Sequence, residues 1–248
     1  MSAPRFYCPA ALAPDAVGSE FTLPETVAHH ALRVLRLVQG DTVTLFTGSG
    51  GEFGATLLRA GKRDAAVRID TYDPVDREAA LAVTLVQGLA ANDAMDTAVR
   101  KAVELGVFAI APVVTTRSAR MPEGERGARR IAHWRQVAVA ACEQCGRNRV
   151  PMVHDTVTLE QWLAARTGDG LAWVLDPNAE RGLALGAPPA EDVAILIGPE
   201  GGFTAEEIAQ TRTSGVTGVR LGPRVLRTET AGPAVLAAIH ALWGDFRE

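Results

Sequence analysis

Cysteine is scarce in this chain, with three in 248 residues. So small and odd a number argues against a disulfide framework and fits a reducing compartment. Long apolar runs are missing as well: none approaches the roughly 20 residues that cross a bilayer. The first ten residues lack the apolar core of a signal peptide. These absences lead to the expectation of a cytoplasmic protein with no membrane partner. Metal-ligand spacing is also poor. Cys142 and Cys145 form one Cys-x-x-Cys pair, but no second such pair or suitably spaced His pair accompanies it. Since a closed zinc site wants four ligands and both cysteines fall on an apolar helical stripe, packing in a core is expected, with no metal.

What is present is a globular composition, 47% hydrophobic and 22% charged, long enough for two domains that each bury a core. The net charge of −4 counts against a nucleic-acid partner, but its distribution matters more. From Arg117 to Arg149 there are eight arginines, no lysine and three acids. Arginine suits bidentate phosphate contacts, although a solvated helical face would look the same.

Along the chain, Arg5 to Cys8, Thr42 to Phe46, Phe53 to Leu58 and Ala65 to Asp70 read as short strands, separated by glycine-marked turns and one helical stretch from Val27 to Leu37. This is the pattern of a small β-barrel. The polar, proline-containing segment Tyr72 to Glu78 then marks a change of pattern. The expected division is therefore 1–74 and 75–248. Beyond it, apolar strands alternate with amphipathic helices. The strands are Leu81 to Val86, Phe108 to Val113, Ala172 to Asp176, Val193 to Ile197 and Val219 to Leu221. One helix carries Met95, Ala98, Val99, Ala102 and Val103 on a single face, and another opens with the capping box Thr204 to Glu207. Such alternation specifies an α/β domain with a mainly parallel sheet, whose ligand sites lie beyond the carboxyl ends of strands.

Two loops stand at that position. The first is Ile197-Gly198-Pro199-Glu200-Gly201-Gly202-Phe203, which matches neither G-x-G-x-x-G nor the Walker pattern and so gives no support for a nicotinamide or nucleoside triphosphate. The second is Leu221-Gly222-Pro223-Arg224-Val225-Leu226-Arg227-Thr228-Glu229-Thr230-Ala231. Two glycine-proline turns after consecutive strands are expected to meet at one edge of the sheet and form a cleft whose backbone a ligand can approach closely.

Together these loops resemble the signature of the RsmE family, which methylates N3 of a uridine in bacterial 16S ribosomal RNA. Further motifs are similar in the same order: Arg5-Phe6-Tyr7, His30 with Val34-Leu35-Arg36, Lys101 to Val107, Thr116-Arg117-Ser118 and Glu143 to Pro151. The resemblance covers nearly the whole chain. It departs at Leu89-Ala90-Ala91-Asn92-Asp93, where the family often has a lysine, and at Cys145, where serine is usual.

The resemblance implies a SPOUT-type α/β fold, a mainly parallel sheet with a trefoil knot, behind an amino-terminal PUA-like β-barrel domain that helps to hold RNA. It implies S-adenosylmethionine as cofactor, held by Leu175, Leu196, Ile197, Gly198, Pro199, Glu200, Gly201, Gly202, Leu221, Gly222, Val225, Leu226, Arg227, Thr230 and Ala231. The partner would be 16S ribosomal RNA or the small ribosomal subunit, and the chain would form a homodimer.

The uracil N3 proton must leave before methyl transfer, and the ring becomes anionic. Arg227 is expected to stabilise the carbonyl oxygens, and Glu229, or a water it orients, to take the proton. Alternatives are a phosphate contact for Arg227 and a cap for Glu229 on a helix starting near Ala231. RNA contacts are expected from Arg5, His30, Arg33, Arg36, Arg117, Arg147, Asn148 and Arg149. For Arg147 to Arg149 a structural salt-bridge role is the alternative, and for His30 packing. Two rival functions remain, a noncatalytic RNA-binding protein on the same fold and a knotted transfer-RNA methyltransferase.

Overall fold

The computed structural model describes residues 3–9, 12–61, 64–121, 124–166, 170–183 and 192–247. Glu123, one of the three acids in the arginine-rich stretch, lies outside them. The chain divides into two compact units, residues 1–78 with 142–150, and 79–141 with 151–248. The division falls four residues beyond the expected boundary, and a later segment returns to the first unit.

The first unit contains β1 (Arg5–Tyr7), β2 (Glu20–Thr22), α1 (Glu25–His29), β3 (Thr42–Phe46), β4 (Glu52–Ala60) and β5 (Ala65–Asp73). Its sheet runs β1-β3-β4-β5-β2; β1 pairs parallel with β3 and the other pairs are antiparallel. In β4 buried and half-buried residues alternate, so Phe53, Ala55 and Leu57 enter the core with Phe6, Leu45, Val67 and Ile69. Strand β2 alternates too, with Phe21 turned to the core between exposed Glu20 and Thr22, but three residues are too few for a periodic signal in the sequence. The expected helix from Val27 to Leu37 is shorter: α1 passes into a π-helical turn, His30–Val34, and Arg36 stops it by adopting φ 57°.

The segment 142–150 belongs with this sheet because its polar groups are held there. Arg5 donates to Glu52 at 2.6 Å and to Asn148 Oδ1 at 2.6 Å, while Glu143 accepts from the Tyr7 N–H at 3.0 Å. Arg147 pairs with Glu78, and Arg149 with Asp76 at 3.0 Å.

The second unit carries a seven-stranded sheet ordered β12-β10-β11-β6-β7-β8, with β9 also on β7. Its strands are β6 (Val83–Gly88), β7 (Ala109–Val114), β8 (Met152–Val153), β9 (Val157–Thr158), β10 (Leu171–Leu175), β11 (Val193–Ile197) and β12 (Thr217–Val219). All their pairings are parallel. Strands β7 and β11 are almost wholly buried, as continuous apolar runs require when both faces are covered. The helices are α2 (Asn92–Glu104), α3 (Gly124–Cys145, whose last turn counts with the first unit), α4 (Leu159–Ala165), α5 (Ala205–Thr213) and α6 (Thr228–Trp243). Met95, Ala98, Val99, Ala102 and Val103 of α2 are all buried. Helix α4 was not expected, although its capping box of Thr158 and Gln161 is visible in the sequence.

The order of the strands adds one relationship that local pattern does not carry. Strands β11 and β12 are consecutive in the chain but not adjacent in the sheet, because β10 lies between them. Their loops still emerge at the same end, since all three strands are parallel, but they flank a third loop.

Candidate active site

Beyond the carboxyl ends of β6, β10, β11 and β12 lies a cleft of about 1140 Å³. It belongs entirely to the second unit. Parallel strands deliver all their outgoing loops to one end, so the loops after these strands converge there, with Arg117 reaching in from the segment after β7.

The loop after β11 makes one wall. Gly198 packs closely inside its own turn: a Cβ there would stand 3.1 Å from Gly202 Cα and from the Phe203 nitrogen, so a larger residue needs the turn to give by a few tenths of an ångström. The turn closes with the Gly202 N–H donating to the Pro199 carbonyl at 2.8 Å. The Glu200 carboxylate accepts from the Ala91 N–H at 2.7 Å, and Arg117 donates to the Gly201 carbonyl at 2.9 Å. The side chains of Glu200 and Arg117 therefore shape the wall. Glu207 of α5 caps its own helix through the Thr204 N–H and also accepts from the Thr116 N–H at 2.7 Å, which fixes where the loop ends.

The opposite wall is the loop after β12, contributing Leu221, Gly222, Arg224, Val225, Leu226 and Arg227. Helix α6 starts at Thr228, three residues before the position expected, with Arg227 as its N-cap and Glu229 in its first turn. A carboxylate there is favoured by the helix dipole, and both Arg227 and Glu229 line the cleft.

Of the residues proposed to hold cofactor, Leu175, Ile197, Gly198, Pro199, Glu200, Gly201, Gly202, Leu221, Gly222, Val225, Leu226, Arg227 and Ala231 line the cleft. Leu196 is buried beneath it in the core with Val86 and Val174, and Thr230 lies exposed on α6 outside the lining. Sequence reasoning missed the loop after β10. Asp176, Pro177 and Asn178 line the cleft, with Asp176 buried, accepting from the Asn178 N–H at 2.9 Å and lying 3.5 Å from Arg212. No motif marks these residues, and only the sheet order brings them between the two signature loops.

The lining suits a cofactor held mainly by backbone. Among the described residues, Gly202 (φ 67°) and Gly222 (φ 71°) have no neighbouring atom within 4 Å of where a Cβ would project, which leaves room beside the main chain for a ligand. Leu175, Ile197, Phe203, Ile208 and Leu226 supply an apolar surface fit for a purine ring.

The proposed RNA contacts occupy different places. Arg117 is at the cleft. In the first unit, Arg147 has 5% of its side chain exposed and Asn148 is fully buried, donating to the Val75 carbonyl at 3.0 Å. Arg5 is likewise mostly covered. These three hold their unit together, the structural alternative considered above for Arg147 and Asn148. His30 stacks edge-on against Phe6 with ring centroids 5.6 Å apart. Arg33, Arg36 and Arg149 remain at the surface. Cys142 is buried, and burial pushes its thiol up to about 12, the reverse of what a metal ligand or redox thiolate needs.

Comparison with known proteins gives this arrangement a family. Residues 77–240 match a family model described as an RNA methyltransferase domain, and residues 23–70 one described as an RNA methyltransferase PUA domain. Ribosomal RNA small subunit methyltransferase E of Synechocystis is 31% identical over 89% of this chain and 73% of its own length. The corresponding Mycobacterium bovis enzyme is 30% identical over 89% of each chain. The chain belongs to the RsmE family. Among solved RsmE structures, the Neisseria gonorrhoeae enzyme bound to S-adenosylmethionine superposes with a TM-score of 0.92 at 38% identity, over 99% of this chain and 100% of that one. A Legionella pneumophila methyltransferase in complex with the same cofactor gives 0.93 at 36% identity and the same coverage. The RsmE chain thus has the SPOUT α/β architecture in its second unit and a PUA domain in its first.

Proposed function

We propose that this protein transfers the methyl group of S-adenosylmethionine to N3 of a uridine in small-subunit ribosomal RNA. The observation that carries this reading is the convergence of the loops after β10, β11 and β12 on one backbone-lined cleft that also presents Arg227 and Glu229. The likeness to two S-adenosylmethionine complexes supports the cofactor, and the relatives' name supports the ribosomal substrate.

When bound, the cofactor supplies an electrophilic methyl group, so the residues of this chain have mainly to position, shield and deprotonate. Gly198 to Gly202 and Leu221 to Leu226 hold the cofactor from two sides. Arg227 stabilises the uracil oxygens as negative charge develops, and Glu229, or a water it orients, takes the N3 proton. At the surface of the first unit, Arg33, Arg36 and Arg149 contact phosphate. Arg117 adds positive charge at the cleft mouth while holding Gly201. No helix among the described residues is long and apolar enough to cross a membrane; the relatives' ribosomal RNA substrate is what supports a cytoplasmic location. The exposed Leu242 and Phe246 near the end of α6 support a homodimer. The threading of the carboxyl-terminal segment into a knot belongs to the same reading.

Mass spectrometry of 16S ribosomal RNA from cells lacking this protein should show one unmethylated uridine, restored on complementation. Intact small-subunit RNA together with a lost transfer-RNA 2′-O-methyl group would overturn the reading in favour of the transfer-RNA enzyme. Calorimetry showing no heat with S-adenosylmethionine would leave only an RNA-binding protein.

A further inference from the structure

Thr228 stands in the second signature loop, yet its hydroxyl is bonded to the first. Oγ1 lies 2.6 Å from the Gly198 carbonyl and 2.9 Å from Gln87 Nε2, and Gln87 Nε2 lies 3.0 Å from the Gly88 carbonyl. The direction of each bond follows from the groups alone. A carbonyl can only accept, so the single hydroxyl hydrogen of Thr228 goes to Gly198. Toward Gln87 the hydroxyl must then accept, so the amide NH2 of Gln87 faces it and spends its other hydrogen on Gly88. The result is a one-way relay joining the ends of β6 and β11 to the first residue of α6.

The relay is dry: Gln87 is 1% and Thr228 6% exposed. It also leaves a residue of cost. Among the described residues, Gln87 Oε1 is buried with no hydrogen-bond partner. An orphaned buried acceptor destabilises a fold, and an apolar side chain of similar length would avoid it. Packing therefore does not account for the glutamine, whereas its two donors do.

We propose that Thr228 is a positioning residue for methyl transfer, locking the Gly198 turn to the start of α6 so that the cofactor wall and the residues on either side of it, Arg227 and Glu229, keep a fixed separation. The proposal rests on the function given above. It assigns to one hydroxyl the coupling between the cofactor side and the nucleobase side of the cleft. Arg227 as N-cap and Glu229 in the first turn move with the helix end, so a loosened relay displaces both relative to the cofactor loop.

The test uses the full-length protein with Thr228→Val, Thr228→Ser and Gln87→Met. Three quantities are read: S-adenosylmethionine affinity by calorimetry, hydrogen exchange of the amides from Gly198 to Phe203, and melting temperature. Loss of one buried hydrogen bond to the loop should weaken cofactor binding about tenfold in Thr228→Val and speed loop exchange. Thr228→Ser should restore both, and Gln87→Met should reproduce the weakening without a matching fall in melting temperature. Unchanged affinity and exchange in Thr228→Val, failure of serine to rescue, or affinity falling only in step with melting temperature would overturn the proposal. If Thr228→Val does not fold, Gln87→Met decides by the same readings. Failure of the unaltered protein to bind the cofactor would instead remove the functional reading, while loop exchange would still report whether the relay holds the turn.

Discussion

Arg117 donates through Nη1 to the carbonyl of Gly201 at 2.9 Å, tying the segment after β7 to the cofactor loop after β11. A residue whose charge suggests RNA thus also supports the wall of the cleft. Arg117→Met should weaken S-adenosylmethionine binding a few-fold, because the lost bond joins two loops at an exposed site, where such contacts are worth about 1 kcal/mol. Calorimetry without RNA measures that part alone. RNA binding across a salt series then reads the phosphate part, whose slope should fall by about one if Arg117 also meets a phosphate.

Backbone approach demands glycine at Gly88 and leaves little room at the facing Gly198. A Cβ on Gly88 would stand 2.7 Å from Pro199 nitrogen and Cδ, and one on Gly198 would meet Gly202 and Phe203 backbone at 3.1 Å. Gly88→Ala should destabilise by about 1–3 kcal/mol and abolish high-affinity cofactor binding, and Gly198→Ala should weaken both stability and binding to a smaller degree, as seen in chemical denaturation and calorimetry. Wild-type affinity in either variant would show that the turn tolerates displacement.

Arg227→Ala and Glu229→Gln address the chemistry directly. Single-turnover methylation at saturating RNA and cofactor should slow by about 10²-fold or more in each, with RNA affinity nearly kept in Glu229→Gln. If Arg227 serves only a phosphate, saturating RNA should restore the rate.

Two neighbouring arginines should behave oppositely. Arg147 is buried against Glu78, so Arg147→Ala strands a carboxylate and should cost about 3 kcal/mol of stability. Arg149 pairs with Asp76 at the surface, and its loss should cost under about 1 kcal/mol while lowering the salt slope of RNA binding. Thermal melting and filter binding of the two variants make the comparison.

Glu52 sits between Arg5 and Arg77. Burial works to raise its pKa, but hydrogen bonds from Arg77 and Arg5 prevail and hold it below its ordinary 4.5. A depressed carboxyl stabilises the fold fully above its unfolded value and loses that contribution as pH falls through the folded one. The melting-temperature gap between the unaltered protein and Glu52→Gln should therefore be widest near neutrality and close as pH falls below 4.5. A gap that persists in strong acid would assign the effect to packing.

Local pattern carried much of this protein. Alternation in Phe53 to Leu57, the continuous apolar run Val193 to Ile197, the Thr204 and Glu207 capping box and the stripe on α2 all act within a few residues, so the sequence displays them openly. The two signature loops were legible for the same reason. Tertiary structure alone placed β10 between β11 and β12, brought Asp176 to Asn178 into the cleft, and turned Arg5, Arg147 and Asn148 inward to hold the first unit. Strand order and burial depend on partners far away along the chain, and a charged side chain looks alike in sequence whether it meets a phosphate or a buried carboxylate. Only the fold supplies the distance that decides between them.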